Sequence, residues 1–422
     1  MQYEKHILKN GLRVLLAPMK DTQTVTVLVL TGTGSRYETK KTNGLAHFLE
    51  HMFFKGTIKR PTALSISEEL DTVGGEYNAY TGKDRTGYWA KVDRKHVHTA
   101  LDVVSDVFLN AKIEQKQINR ERGPILQELS MYEDTPMRHI GDLFEMLLYG
   151  NHPLGWEIIG TKQNIMSVNR KDFLAYLEKN YVAQNSAICV AGNFSRTAVL
   201  NKIRKDFAKM RIGKCPTHDL FTRKQEKPAL SVQNKKTDQT QLMLGVRGYH
   251  FNHKDRYVLS VIATLLGGGM SSRLFMEVRE KRGLAYFVRT FTEAYSDVGY
   301  LVTQAGVKHR NLAQTVKIIL AEYRKFVRTR VSEKELRKAK EYIKGKIAMG
   351  LETSEDVATY LVEQEVIKNR ITLPSQIAQR IDRVMAEDVL RVSKDIFRNT
   401  GLNCAIIGPH NNKLRVENFL KL

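Results

Sequence analysis

Residues 47–51 read His47-Phe48-Leu49-Glu50-His51 and gather two imidazoles and a carboxylate within five positions. His47 and His51 stand four residues apart, so on a helix both project from one face and can hold a single metal ion. Glu50 precedes the second imidazole by one position, within reach of a water polarised by that metal. Those residue types at that spacing fit one chemistry well: a metal activates water, and a carboxylate takes its proton.

Two imidazoles leave such a site incomplete. A catalytic zinc site has three protein ligands and one open position. The third ligand should be a His or an acid delivered by another element. Glu128 is a candidate, within Arg120-Glu121-Arg122-Gly123-Pro124-Ile125-Leu126-Gln127-Glu128-Leu129. Glu121 lies seven residues earlier, about two helical turns, and shares a face with Glu128 if the helix is continuous. Pro124 puts that continuity in question, because an interior proline removes a backbone hydrogen bond. His139 and His152 lack metal-ligand spacing. His139 reads as a helix-surface or packing residue, and His152, before Pro153, as a loop residue.

His-x-x-Glu-His is the inverse of the commoner zinc-peptidase order His-Glu-x-x-His. In order and spacing, His47-x-x-Glu50-His51 followed by Glu121 and Glu128 resembles the pitrilysin-like metallopeptidases. The stretch Gly44-Leu45-Ala46-His47-Phe48-Leu49-Glu50-His51-Met52-Phe53-Phe54-Lys55-Gly56-Thr57 is similar to the processing-peptidase branch of that family, and the length to its short two-domain bacterial members. The resemblance implies that His47, His51 and Glu128 ligate one zinc ion per chain, that Glu50 is the general base, and that Glu121 orients a ligand. It also implies that Arg279 and Tyr286, seven positions apart in the second half, reach the substrate: Tyr286 as an oxyanion donor, Arg279 as a positioning contact. Read without the resemblance, Arg279 is a solvated helix residue and Tyr286 a buried strand residue. Asn78 and Ala79, in Gly74-Gly75-Glu76-Tyr77-Asn78-Ala79-Tyr80-Thr81, match positions that hold the substrate backbone on an edge strand. Asn78 capping a bulge is the plainer reading. The implied activity is zinc-dependent endoproteolysis of oligopeptides or unfolded segments inside a closed chamber. A site-specific peptidase that removes leader segments, and a non-catalytic structural relative, are the alternatives.

Elements must hold these side chains in place. The first half opens with strands around the Asn10-Gly11 turn, a hairpin signal. The metal-binding helix follows, then a helix at about 62–73, strands at about 75–92 and helices at about 95–148. A helix near 170–180, a strand at 187–193 and a helix to about 209 complete it. The second half has a strand at 241–246, helices at about 254–266 and 271–281, strands at about 285–306, helices at about 310–397 and a strand at 403–409. Gly267-Gly268-Gly269 lacks the Gly-Lys-Ser/Thr ending of a nucleotide loop, and reads as a flexible loop touching substrate or as a helix-to-helix turn. The late strands of both halves look alike, closing on Gly192-Asn193 and Gly408-Pro409. An internal duplication is the simplest account. The expected fold is α+β: two homologous α/β sandwich-like domains, each a mixed, mostly antiparallel sheet packed with helices. Residues 1–215 form the zinc-binding domain, 216–228 the linker, and 229–422 a second domain without the metal motif. Larger members of the resembled family enclose a chamber with four such units, so two units imply a homodimer that completes its sites between subunits, with a hetero-partner as the alternative.

Composition bounds the partners. Lys and Arg number 67 against 45 acids, for a net charge of +22. The charges interleave, as in Ser332-Glu333-Lys334-Glu335-Leu336-Arg337-Lys338, which is a solvated helix face rather than a nucleic-acid patch. No nucleic-acid partner is expected. The apolar runs, such as Val25 to Leu30, are too short to cross a bilayer. Met1-Gln2-Tyr3-Glu4-Lys5-His6 carries no signal-like core, and Cys189, Cys215 and Cys404 make no disulfide framework. A soluble cytoplasmic protein acting on peptides is the resulting expectation.

Overall fold

Short runs rich in Val, Ile and Leu become strands, and longer stretches of helical period become helices. The computed structural model describes residues 1–410 and 420–422. The first half of the chain holds β1 (Glu4–Ile7), β2 (Arg13–Pro18), β3 (Thr24–Thr31), α1 (Leu45–Phe53), α2 (Ala63–Asp71), β4 (Glu76–Thr81), β5 (Thr86–Asp93), α3 (Val97–Asn110), α4 (Gln115–Glu133), α5 (Pro136–Tyr149), α6 (Lys162–Ser167), α7 (Arg170–Asn180), β6 (Ser186–Gly192) and α8 (Arg196–Asp206). The second holds β7 (Ala229–Asn234), β8 (Thr240–Gly248), α9 (Arg256–Gly267), β9 (Ala285–Ala294), β10 (Gly299–Val307), α10 (Leu312–Arg328), α11 (Glu333–Met349), α12 (Ser354–Lys368), α13 (Pro374–Asp382), α14 (Ala386–Ile396) and β11 (Leu402–Gly408). The β1–β2 hairpin closes where expected: Leu8 N–H donates to Leu12 O at 2.9 Å, around Gly11 at φ 89°.

One sheet runs β1-β2-β6-β3-β5-β4 and the other β7-β11-β8-β10-β9. β2 lies parallel to β6, and β7 to β11. The remaining pairings are antiparallel. With β1 set aside, each half places its strands in the same order, the last beside the first. The α+β class and the duplicated sheet are therefore present in the structure. β7 has no counterpart in the sequence reading, because it is half-buried along its length and carries no strong alternation. The helix expected at 271–281 contains a π-type stretch, Phe275–Glu280.

The compact units are not the two contiguous halves. One unit comprises residues 1–130, 157–219 and 348–373, and the other comprises 131–156, 220–347 and 374–422. Each half thus surrenders a helix to the other half's sheet. The physical reason is burial on both faces. Val25 to Thr31 of β3 are all buried, so alternate residues on either face need cover. α3 lies against β3 and β5, and α12 lies against β3 and β6. Ala358, Leu361 and Val362 of α12 pack on Leu15, Leu28 and Cys189. In the second unit, Ile140, Phe144 and Leu148 of α5 pack on Met243, Val302 and Ile407. Gly267 ends α9, and a Cβ there would sit 2.4 Å from Thr290 N, so close helix–strand packing accounts for that glycine. Among the described residues, no helix is long and apolar enough to cross a membrane.

Candidate metal centre

α1 is a nine-residue helix whose Leu45, Ala46, Phe48, Leu49, Met52 and Phe53 are buried. Its first turn has no side-chain cap from its own N-terminal residue, Gly44, which adopts φ 98°. A Cβ there would meet Ile159 O at 2.5 Å. Glu38 does the capping from outside. Its Oε2 accepts from Gly44 N–H at 2.9 Å and its Oε1 from Ala46 N–H at 2.6 Å. The Asn43 amide donates to the same carboxyl at 3.1 Å. Burial pushes the Glu38 pKa up to about 8, against the pull of these donors.

α4 runs unbroken from Gln115 to Glu133 with Pro124 inside it. Glu121 and Glu128 therefore share a face, and both reach α1. Glu128 Oε2 stands 3.6 Å from His47 Nε2 and 3.4 Å from His51 Nε2. Among the described residues, His47, His51 and Glu128 form a group whose ligand atoms lie within 4.8 Å of one another. Two tetrahedral donors at about 2.0–2.1 Å from zinc stand about 3.3–3.4 Å apart. The carboxylate–imidazole separations fit that requirement closely, and the donor set of two neutral nitrogens and one carboxylate oxygen suits zinc.

Glu121 completes the orientation of His51. Its Oε1 lies 3.1 Å from His51 Nδ1. A carboxylate can only accept, so the imidazole proton belongs on Nδ1 and the Nε2 lone pair faces Glu128. Lys55 Nζ holds the other oxygen of Glu121 at 2.8 Å. Burial works to raise the Glu121 pKa, but hydrogen bonds from His51 and Lys55 outweigh it and keep the carboxyl below its usual range. Without a metal, burial works to lower the His51 pKa, but Glu121 and Glu128 carry it up to about 9. Lys55 went unnoticed in the sequence. It lies in the turn just beyond the end of α1, where no helical spacing points to it.

Glu50 projects from α1 toward β4. Its Oε2 accepts from the Thr81 hydroxyl at 2.5 Å. β4 is an edge strand that pairs only with β5 in its sheet. Asn78 is exposed and Ala79 buried, as the pleat requires. The Asn78 side-chain oxygen accepts from Ala79 N–H at 2.9 Å. The expected substrate strand is thus an open edge in the same unit as His47, His51 and Glu128.

Arg279 and Tyr286 belong to the other unit. The structure brings them together: the Arg279 guanidinium lies over the Tyr286 ring at 5.1 Å and the Phe275 ring at 4.9 Å. Tyr286 is 76% exposed near the start of the edge strand β9, so the reading as a buried strand residue does not hold. His139 is a buried residue of α5, and His152 accepts from Leu154 N–H in a short turn. Both readings of these histidines as structural are in keeping with that.

Comparison with known proteins identifies the family and the fold. Residues 13–162 match the insulinase family model (peptidase family M16), and residues 167–343 match the M16 inactive-domain model. The chain is 33% identical over 413 residues to an uncharacterized zinc protease of Bacillus subtilis, covering 97% of this chain and 99% of that protein. It is 34% identical over 404 residues to an uncharacterized zinc protease of Rickettsia felis, covering 96% and 97%. The crystal structure of a protease from Helicobacter pylori superposes with a TM-score of 0.89 at 25% identity, over 97% of this chain and 99% of that one. A chain of Complex III2 from Candida albicans shares the fold at 17% identity, with a TM-score of 0.85 over 99% and 100% of the two chains.

Proposed function

Because the chain belongs to the insulinase family of peptidases (M16), we propose that it is a zinc-dependent endopeptidase of oligopeptides or unfolded segments. The observation that carries this is the convergence of His47, His51 and Glu128 within 4.8 Å, with Glu50 on the same helix as the two imidazoles. Zinc, when bound, supplies Lewis acidity and lowers the pKa of a coordinated water from about 16 toward about 7. Glu50 takes the proton of the attacking water and returns it to the leaving amine. Glu121 and Lys55 keep the His51 ring turned so that Nε2 serves as ligand. Asn78 and Ala79 hold the substrate main chain along the β4 edge, a mode tolerant of sequence because it uses backbone hydrogen bonds. Tyr286 donates to the developing oxyanion and Arg279 positions the substrate carbonyl. A homodimer encloses the substrate, each subunit giving its Arg279 and Tyr286 to the other's metal site.

The test is hydrolysis of a quenched fluorogenic peptide library by zinc-loaded protein, with and without chelator, and by Glu50→Gln. Activity lost on chelation, and lost in Glu50→Gln with zinc retained, is the expected result. Full activity in Glu50→Gln would remove the general base from the scheme. A cut confined to one site would replace the broad endopeptidase with a leader-processing enzyme.

A further inference from the structure

We propose that Thr81 is a positioning residue for Glu50, coupling the base to the strand that receives the substrate. The inference rests on the reading of Glu50 as the general base. Glu50 is a long, rotatable side chain, and a base acts only when its carboxylate meets the water it deprotonates. In the structure one oxygen, Oε2, is taken by the Thr81 hydroxyl at 2.5 Å. The carboxylate has no proton to give, so Thr81 is the donor and the contact is a charge-assisted hydrogen bond. Oε1 would then be the oxygen that takes the proton of the reacting water.

Thr81 is well placed to be rigid. It is the last residue of β4 and pairs with Thr86 at the start of β5. The turn beyond is closed by Gly82 N–H donating to Arg85 O at 2.8 Å. Along β4, residues of odd number face α1 and its C-terminal end: the Tyr77 ring meets Phe54, just past the helix, at 6.4 Å, and Thr81 meets Glu50. The Tyr80 hydroxyl instead reaches Glu363 of α12 at 3.4 Å, and Arg85 binds that same carboxylate at 2.6 Å. The strand is thus anchored on both faces. Ala79, two residues from Thr81 on the same face, belongs to the edge expected to hold the substrate backbone. A peptide seated on β4 and the orientation of Glu50 are therefore set by one short length of backbone.

Thr81→Val keeps the shape and the branching at Cβ but removes the donor; Thr81→Ser restores it. With zinc-loaded protein and a fluorogenic peptide, Thr81→Val should lose about tenfold or more in kcat. KM, zinc per chain and melting temperature should stay near wild type, and Thr81→Ser should recover most of the rate. Wild-type kcat in Thr81→Val overturns the proposal. So does a loss that appears as raised KM or lost zinc, or that serine does not rescue, since each makes Thr81 a structural residue. If the wild-type protein itself cleaves no peptide, the peptidase reading fails instead. A crystal structure of zinc-loaded Thr81→Val then decides: the Glu50 carboxylate should leave its present position, and an unmoved carboxylate overturns the proposal.

Discussion

Leu361 of α12 gives the sharpest test of how this chain is assembled. It lies in the second half of the sequence, yet it is fully buried among Leu15, Leu28, Leu30 and Cys189 of the first sheet. Leu361→Ala deletes buried methyl groups and leaves a cavity, and such changes cost about 3–5 kcal/mol where neighbours cannot collapse. The neighbours here sit in sheet positions pinned by the β3–β6 and β2–β6 ladders, so little relaxation is expected. For a unit of roughly 150–250 residues, about 3 kcal/mol corresponds to a melting temperature lower by about 6–12 °C. The chain supplies its own reporter. Trp89 of β5 packs against this same cluster, whereas Trp156 belongs to the other unit. In a Trp156→Phe background, tryptophan fluorescence therefore follows only the unit that holds His47, His51 and Glu128. The Trp89 transition should shift by the stated amount, while Leu174→Ala, at a surface position 39% exposed, should leave it in place. A Trp89 midpoint unchanged in Leu361→Ala would show that α12 does not cover the first sheet.

Other expectations follow from the same geometry. Glu38 has its pKa raised from 4.5 to about 8 in the folded protein, so its contribution to stability is greatest below pH 4.5 and is lost as pH rises through about 8. Glu38→Gln should flatten that fall in unfolding midpoints taken across this range; an equally steep fall would assign the pH dependence to other groups. Lys55→Met should weaken zinc binding by about tenfold or more in a chelator competition, because Glu121 loses its second anchor. Tighter binding in that variant would mean that removing a positive charge beside the cation outweighs orientation. Tyr286→Phe should lower kcat by about a hundredfold with zinc retained. Mixing Glu50→Gln with Tyr286→Phe should restore about a quarter of wild-type activity if sites are completed between subunits of a dimer. No recovery after subunit exchange would place both groups of each site in one chain.

The residues that converge at the candidate centre were legible because their signals are local. His47 and His51 lie one turn apart, and Glu121 and Glu128 lie two turns apart, so helical period alone brings each pair onto one face. Pro124 was the doubt, and α4 accommodates it without a break. Thr81 was not legible, since nothing within β4 distinguishes a hydroxyl that meets a carboxylate from one that meets water. Glu38 was hidden for a similar reason: its role depends on a chain reversal that brings it back to the start of α1. The duplication was legible from the matching late strands, but the order of the strands and the destinations of α5 and α12 were not. An amphipathic pattern announces that a helix has an apolar face and is silent about which sheet that face will cover.

The placement of α12 also constrains how the chain comes to life on the ribosome. The first sheet is complete once β6 has emerged, but one of its two faces stays bare until residues 354–368 follow. At a synthesis rate of about 5–20 residues per second, that interval lasts roughly ten to thirty seconds. During it, an apolar sheet with an open β4 edge stands exposed to neighbouring nascent chains. Cutting the gene at the apparent linker would make that exposure permanent for both products, each fragment carrying away the lid its sister needs.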